Sequence, residues 1–493
     1  MPINGIMMKS LLAALKESME HAGLLEGSYL VGGTVRDILL GREIKDIDIV
    51  IKGNPVSFAK IFAGVIHGTL VPLHDEFPTA RVVKKEWIFD FAALKEDSID
   101  CDLLSRDFTI NAMAIPLSGL SSASPGNIKR PDKEVDSRFR NDGIYYLDKR
   151  LIIDVTGGKA DLATGVVRMV SSENLVADPL RMLRAYRFAS QLGFYIDTGT
   201  MAAISSLKGL LPRAAAERIW SEIKAIFSAG NSAGPLKQMV ESGLLFEIIP
   251  EIKPEALSHA GGNGAPLEHA LNVYDGVEKI MERLNGNLPF PERFKLYLHS
   301  GTGIKALLKF AVLLGEAAPG FSQDAPLVER ICQRLRASQK ETAYIVKLIV
   351  NRPRGVALGQ FTSGKRAMVE LLNALGEELY ALLIIGLSWE KTRNPAPAHP
   401  PKVEKGSLSI DTYLAHAENL IIFYTAQYLP RASRARFISG RDLMEIFGLK
   451  PSPLFKEILE EITDRTLEGT ITGKEQAIDE VQALLSKRPQ ARG

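Results

Sequence analysis

The stretch SYLVGGTVRDILLGREIKDIDIVIKG, residues 28–53, decides the fold. SYLV reads as a strand, Gly32-Gly33 as a turn, and the residues after it as a helix start. DIDIVIKG then reads as a buried strand, with Ile47, Ile49 and Ile51 alternating against Asp46, Asp48 and Val50. Successive side chains on a strand point to opposite faces, so Asp46 and Asp48 share one. Two short strands with a glycine turn and a helix between them open a small α/β unit.

Working outward, residues 7–24 read as a helix. TLVPLH, ARVVKK, WIFDFAAL and RLIIDV read as further strands, and Val56–Val65 and Phe108–Ala114 as helices. Residues 118–147, rich in Ser, Gly, Pro and charge, read as a surface insertion. From Leu162 onward the pattern is helical, and no strand is expected after Val170. The Pro-rich NPAPAHPPKVEKG at 394–406 reads as a linker. The expected class is α+β: a mixed-sheet head over 1–157, a helical neck over 158–230, a helical body over 231–355 and a helical tail over 356–493.

The length of 493 residues exceeds one core and implies two to four domains. With 46% hydrophobic and 24% charged residues the composition is that of a soluble globular protein. Sixty basic side chains against 58 acidic ones give a net charge of +2, which neither favours nor excludes a nucleic-acid partner. Cys101 and Cys332 are the only cysteines, so a disulfide framework and a CxxC metal knuckle are excluded and a reducing cytoplasm is expected. No apolar run of signal-peptide or membrane-spanning type occurs, so no membrane association is expected.

The Asp46–Asp48 pair carries the chemistry. Two adjacent carboxylates repel unless a cation lies between them, and hard oxygen ligands suit Mg²⁺, which also binds phosphate. The bland alternative is a solvated acidic face on an edge strand. Gly32 and Gly33 would let backbone N–H groups approach a phosphate at a helix N-terminus, with Arg36 adding a charge-assisted contact. Asp90, on the apolar WIFDFAAL, is either a third carboxylate or half of a structural salt bridge.

These segments resemble the nucleotidyltransferase superfamily, and within it the bacterial (class II) tRNA nucleotidyltransferases and poly(A) polymerases. YLVGGTVRDILLGREIKDIDIV is similar to the family's first motif and SRDFTINAMAI to its second, with Arg106 and Asp107 in the Arg-Asp position. DVTGGKADLATGVVR, ADPLRMLRAYRFASQLGF and ERIWSEI are similar to the third, fourth and fifth. The resemblance implies template-independent transfer of nucleotides from CTP or ATP to the 3′ end of tRNA. It implies catalysis at Asp46, Asp48 and Asp90, with two Mg²⁺ (Mn²⁺ as a substitute) on Asp46 and Asp48. Nucleotide contacts are implied at Gly32, Gly33, Arg36, Arg106, Asp107, Asn111, Asp178, Arg181, Arg184 and Arg187. Asp178 and Arg181 match side chains that read the incoming base, although the family's preceding Glu is Ala177 here. By spacing, Asp178, Arg181 and Arg184 are expected to step along one helix.

PLEHALNVYDGVEKI and LLKFAVLLGEAAPG resemble the family's HD-type segment, but Gly315-Glu316 stands where an active one has His-Asp, and Asn351-Arg352 where a later His pair belongs. His269 alone cannot hold a metal, so a purely structural scaffold is expected. The run RASRARFISGR offers Arg431, Arg434, Arg436 and Arg441 as RNA contacts, or equally as a solvated helix end. Arg106 follows Phe91 by only 15 positions, without the longer basic loop that the resemblance leads one to expect in CCA- and A-adding enzymes. A CC-adding enzyme is therefore the leading expectation. CCA or A addition, a poly(A) polymerase and a non-enzymatic RNA-binding relic are the rivals.

Overall fold

A computed structural model of the chain describes residues 5–74, 79–119, 121–122, 145–146, 149–253, 266–301, 303–393, 409–434 and 436–486. The linker expected at 394–406, and nearly all of the insertion expected at 118–147, lie outside them. The chain divides into two compact units, one of Met1–Ala214 with Glu241–Glu247, the other of Ala215–Val240 with Ile248–Gly493.

The first unit is built on a mixed six-stranded sheet. Its strands are β1 (Ser28–Val31), β2 (Asp46–Ile51), β3 (Thr69–His74), β4 (Thr79–Lys84), β5 (Trp87–Ala93) and β6 (Ala114–Pro116), in the order β3-β4-β5-β2-β1-β6. The helices α1 (Gly5–His21), α2 (Gly32–Leu40) and α3 (Pro55–Ile66) interleave with the first strands. The isoleucines of β2 drive this arrangement, since Ile47, Ile49 and Ile51 are all buried. β2 lies parallel to β5, with Asp48 opposite Asp90, and antiparallel to β1. Phe58 and Phe62 of α3 meet Phe91 and Phe89 of β5 edge-on, at 5.3 and 5.0 Å between centroids.

Three local expectations are corrected. RLIIDV is not a strand: a 3₁₀ turn at Lys149–Leu151 precedes a single bridge from Ile153 to Ala114. Phe108–Ala114 is not a helix. The Thr109 N–H donates to the Arg168 carbonyl and the Val170 N–H to the Asp107 carbonyl, so only a 3₁₀ turn at Thr109–Asn111 survives before β6. A strand does follow Val170: Tyr195–Ile196 pairs parallel with Val166–Val167. Two-residue ladders of this kind have no periodic sequence signal.

Beyond the sheet the first unit continues with α4 (Ile99–Leu104), α5 (Gly158–Thr164), α6 (Ser172–Ala177), α7 (Arg181–Leu192) and α8 (Thr198–Leu207). Asp178 is not on α7. The residue before a proline is pushed out of helical space, and Asp178, before Pro179, is extended (φ −135°, ψ 95°) and closes α6.

The second unit is helical throughout its described residues. Helices at 216–228, 266–282, 304–317, 339–356 and 379–393 surround an aromatic core in which Trp220 meets Phe310 at 4.9 Å and Phe227 meets Tyr274 at 5.3 Å. Residues 438–481 carry a further cluster of Ile438, Leu443, Ile458, Ile462, Ile471, Ala477 and Val481.

Candidate active site

The site is assembled at the β1–α2 turn. Gly32 opens α2 at φ +65°, and a Cβ there would stand 2.9 Å from Arg106 Nη1 and 3.2 Å from Asp48 Oδ2. Glycine is thus required both by conformation and by space. No side chain caps α2, so its first N–H groups are left for another acceptor. Thr34 couples turn to strand: its hydroxyl donates to the Asp46 carbonyl (3.3 Å) and accepts from the Asp48 N–H (2.7 Å).

Asp48 is a perturbed carboxylate. Burial pushes its pKa up, Arg106 opposes this, and Asp90 and Asp46 add to the upward push. Asp90 faces Asp48 across the β2–β5 pair but is gripped by Arg81 through two 2.7 Å bonds. Among the described residues no three His, Cys, Asp or Glu side chains converge as a metal cluster. The donor set present, Asp46 and Asp48 on one face with Asp90 alongside, nonetheless fits a divalent cation, because a cation would offset both the burial that chiefly raises Asp48 and the repulsion from Asp90 and Asp46 that adds to it.

The arginines are fixed rather than loose. Arg106 is held by Asp102, one turn earlier, through its Nε (2.9 Å) and Nη2 (2.8 Å). Arg36 donates to both oxygens of Asp37 and to Asn111 Oδ1 (2.7 Å). Asn111 in turn donates to Asp107 Oδ1 (3.1 Å), and Arg184 Nε to Asp107 Oδ2 (2.7 Å). Burial alone would raise Asp107, but the Arg184 charge and the bonds from Asn111, Arg184 and the Phe108 N–H outweigh it and hold the carboxyl below its usual range. The guanidinium carbons of Arg36, Arg184 and Arg187 lie 5.2, 5.4 and 4.6 Å from the centre of the Phe188 ring. Arg181 Nη1 donates to the Ser105 carbonyl (2.9 Å), and Asp178 Oδ1 accepts from the Leu180 N–H (3.2 Å).

The poly A polymerase head domain family matches residues 28–124, and the family described as a probable RNA and SrmB-binding site of polymerase A matches residues 193–255. A CC-adding tRNA nucleotidyltransferase of Synechocystis sp. is 27% identical over 457 residues, 92% of this chain and 93% of the relative. One of Geobacter sulfurreducens is 28% identical over 509 residues, 97% of this chain and 95% of the relative. Two stretches of the chain thus match the head and RNA-binding families of poly A polymerase, and nearly its whole length is similar to CC-adding tRNA nucleotidyltransferases. The fold agrees with a CCA-adding enzyme solved with CTP (TM-score 0.62, 21% identity, 98% of this chain and 96% of that one) and with a Thermotoga maritima CCA-adding enzyme complexed with tRNA (TM-score 0.59, 22% identity, 98% and 96%).

The expected head residues meet, while Thr34, Asp102 and Arg81 were missed by sequence reasoning. Asp102 had a signal, since it stands four residues before Arg106 with Ile99 to Leu104 helical. Thr34 and Arg81 had none, because their partners come from the tertiary fold.

In the second unit the HD-like position is filled by an ion pair. Glu316, buried, receives Arg352 Nε at 2.5 Å and lies 3.4 Å from His269 Nε2. Burial raises the Glu316 carboxyl, but His269 and Arg352 outweigh it and hold the pKa below its ordinary value. The basic run is divided. Arg431 donates to the Leu467 carbonyl at 2.7 Å, where a Cβ on Gly469 (φ +83°) would stand 2.4 Å from its Nη2. Its guanidinium therefore serves the end of the 453–468 helix. Arg441 pairs with Glu445 one turn away, whereas Arg434 and Arg436 are exposed.

Proposed function

We propose that this nucleotidyltransferase adds CMP from CTP to the 3′ end of tRNA and stops after two additions, leaving the terminal A to another enzyme. The observation that carries this reading is the junction between β5 and α4. Only residues 94–98 separate them, folded as a tight turn in which Glu96 and Asp97 take positive φ (51° and 53°). The Leu94 N–H donates to the Ile51 carbonyl at 2.9 Å, and Ser98 Oγ caps α4. A pocket that changes from the shape of cytosine to that of adenine needs a mobile lever, and mobility needs loosely packed chain. This junction supplies none. The two relatives named above carry the CC-adding description, which supports the same reading.

Asp46 and Asp48 would hold the metal, with Asp90 as a third carboxylate once Arg81 yields it. Bound Mg²⁺, or Mn²⁺ in its place, would lower the cost of deprotonating the attacking hydroxyl and of releasing pyrophosphate. Arg36, Arg106, Arg184 and Arg187 supply positive charge around the α2 N-terminus and the Phe188 ring for the triphosphate. Asp178 and Arg181 present an acceptor and a donor to the base edge. A mismatched base would leave these groups unpaired, which discriminates against uracil and guanine.

An A-adding relative from Deinococcus radiodurans, 27% identical over 489 residues, keeps a rival in view. A tRNA ending at the discriminator base separates the two when offered CTP and ATP together. Growth that stops at two nucleotides is expected; efficient growth by three, or growth on ATP alone, refutes CC-only addition.

A further inference from the structure

Three consecutive backbone carbonyls, those of Leu104, Ser105 and Arg106, are held by two side chains from the base-reading segment. Asn174 Nδ2 donates to the Leu104 carbonyl (2.8 Å) and to the Arg106 carbonyl (2.8 Å), while Arg181 Nη1 takes the Ser105 carbonyl between them (2.9 Å). A primary amide nitrogen carries two hydrogens, so one Asn satisfies both outer carbonyls. Its own oxygen turned toward them would face two acceptors, which fixes the amide orientation.

The same residue reaches Asp178 through its backbone. The Asp178 N–H donates to the Asn174 carbonyl at 3.3 Å as α6 ends, and the Arg181 N–H donates to the Asp178 carbonyl at 3.0 Å. On the other side, the Arg106 guanidinium lies beside Gly32 and Asp48, fixed by Asp102. Hydrogen bonds thus lead from the Arg106 backbone through Asn174 to Asp178, and the Arg106 side chain brings its charge to Asp48.

We propose that Asn174 is a positioning residue for base selection: it sets the register of Asp178 and Arg181 against the Leu104–Arg106 segment that carries the triphosphate-binding arginine. This rests on the nucleotidyl-transfer reading above. The distance between triphosphate and base is fixed in every nucleotide, so a reader of the base edge must be fixed relative to the triphosphate contact. Val176 and Ala177 are exposed, so between the buried Leu175 and the buried Leu180 the chain has little side-chain packing to set that register. Replacing the amide removes both outer anchors at once, while the Asp46 and Asp48 carboxylates and the Asp102–Arg106 pair stay in place.

The test measures kcat and KM for single-nucleotide addition to tRNA with CTP, ATP, UTP and GTP, for wild type, Asn174→Ala, Asn174→Ser and Arg181→Ala, with thermal melts alongside. Asn174→Ala is expected to raise KM for CTP and to lower the CTP-over-UTP preference about tenfold, with kcat for CTP within a few-fold of wild type. Asn174→Ser keeps one donor and should fall between, which preserves the test if the alanine variant fails to fold. A uniform loss of kcat across all four nucleotides, with selection intact, would overturn the inference. A wild type that selects, an Arg181→Ala variant that does not and an Asn174→Ala variant that selects like wild type would overturn it alone. A wild type that adds no nucleotide would overturn the transfer reading and this inference with it.

Discussion

Asp48 shows how a single residue is made useful by its discomfort. Burial and two neighbouring carboxylates disfavour its charge, and only Arg106 and Arg36 oppose them. Such a group is a poor structural element and a good cation ligand. Asp48→Ala should therefore lower nucleotide addition at least about a hundredfold while leaving the melting temperature unchanged or higher, which a thermal scan beside a primer-extension assay would check. Full activity with Mg²⁺ in that variant would remove Asp48 from the site. The pair was legible in the sequence because strand alternation alone places both acids on one face. The grip of Arg81 on Asp90 was not, since the two residues stand nine apart on neighbouring strands joined by a tight turn, and neither has a local pattern announcing the other.

At the scale of elements, the segment around Asp107 does what a helix would not. FTINAMA ends in the good helix formers Ala112, Met113 and Ala114, yet the backbone pairs outward with Arg168 and Asp107 itself with Arg184 of α7. Propensity loses there to long-range hydrogen bonds, which is why the sequence misleads over these seven residues while the strongly periodic β2 and α3 read correctly. Likewise Pro179 breaks what spacing presents as one helix from Asp178 to Arg187. The Asp107–Arg184 bond has a measurable consequence. Arg184→Ala would leave a buried carboxylate without its main charge partner, and a loss of about 3 kcal/mol in denaturant stability is expected, together with a higher KM for nucleotide. Unchanged stability would show that Asn111 and the Phe108 N–H suffice for Asp107.

Across the whole molecule, the helical class of the second unit was legible from its periodicity, and its ion pairs only from residues that seemed out of place. Lys309 and Glu278, both buried, bond to each other, with Ser232 Oγ within 3.0 Å of the lysine. Nothing in their sequence spacing identifies them as partners. Glu316 was singled out as a departure from an HD pattern, and its pairing with Arg352 supplies the physical reason that the departure is tolerated. Its folded pKa lies below the unfolded value, so the stability it contributes is present above the unfolded pKa and lost as pH falls through the folded one. Glu316→Gln should thus flatten the acid limb of a stability-against-pH curve below about pH 4, measured by urea midpoints; an unchanged limb would assign the acid sensitivity to other carboxylates.

Arg352 has a further consequence for how the protein responds to chelators. Its guanidinium is a cation that the chain carries with it, so the place beside Glu316 and His269 owes nothing to the supply of free divalent ions. EDTA is accordingly expected to silence nucleotide addition while leaving the thermal transition of the helical unit where it was, and readdition of Mg²⁺ should restore activity without any refolding delay. A melting curve that shifts on chelation would mean that some ion, and not the arginine, holds those helices together.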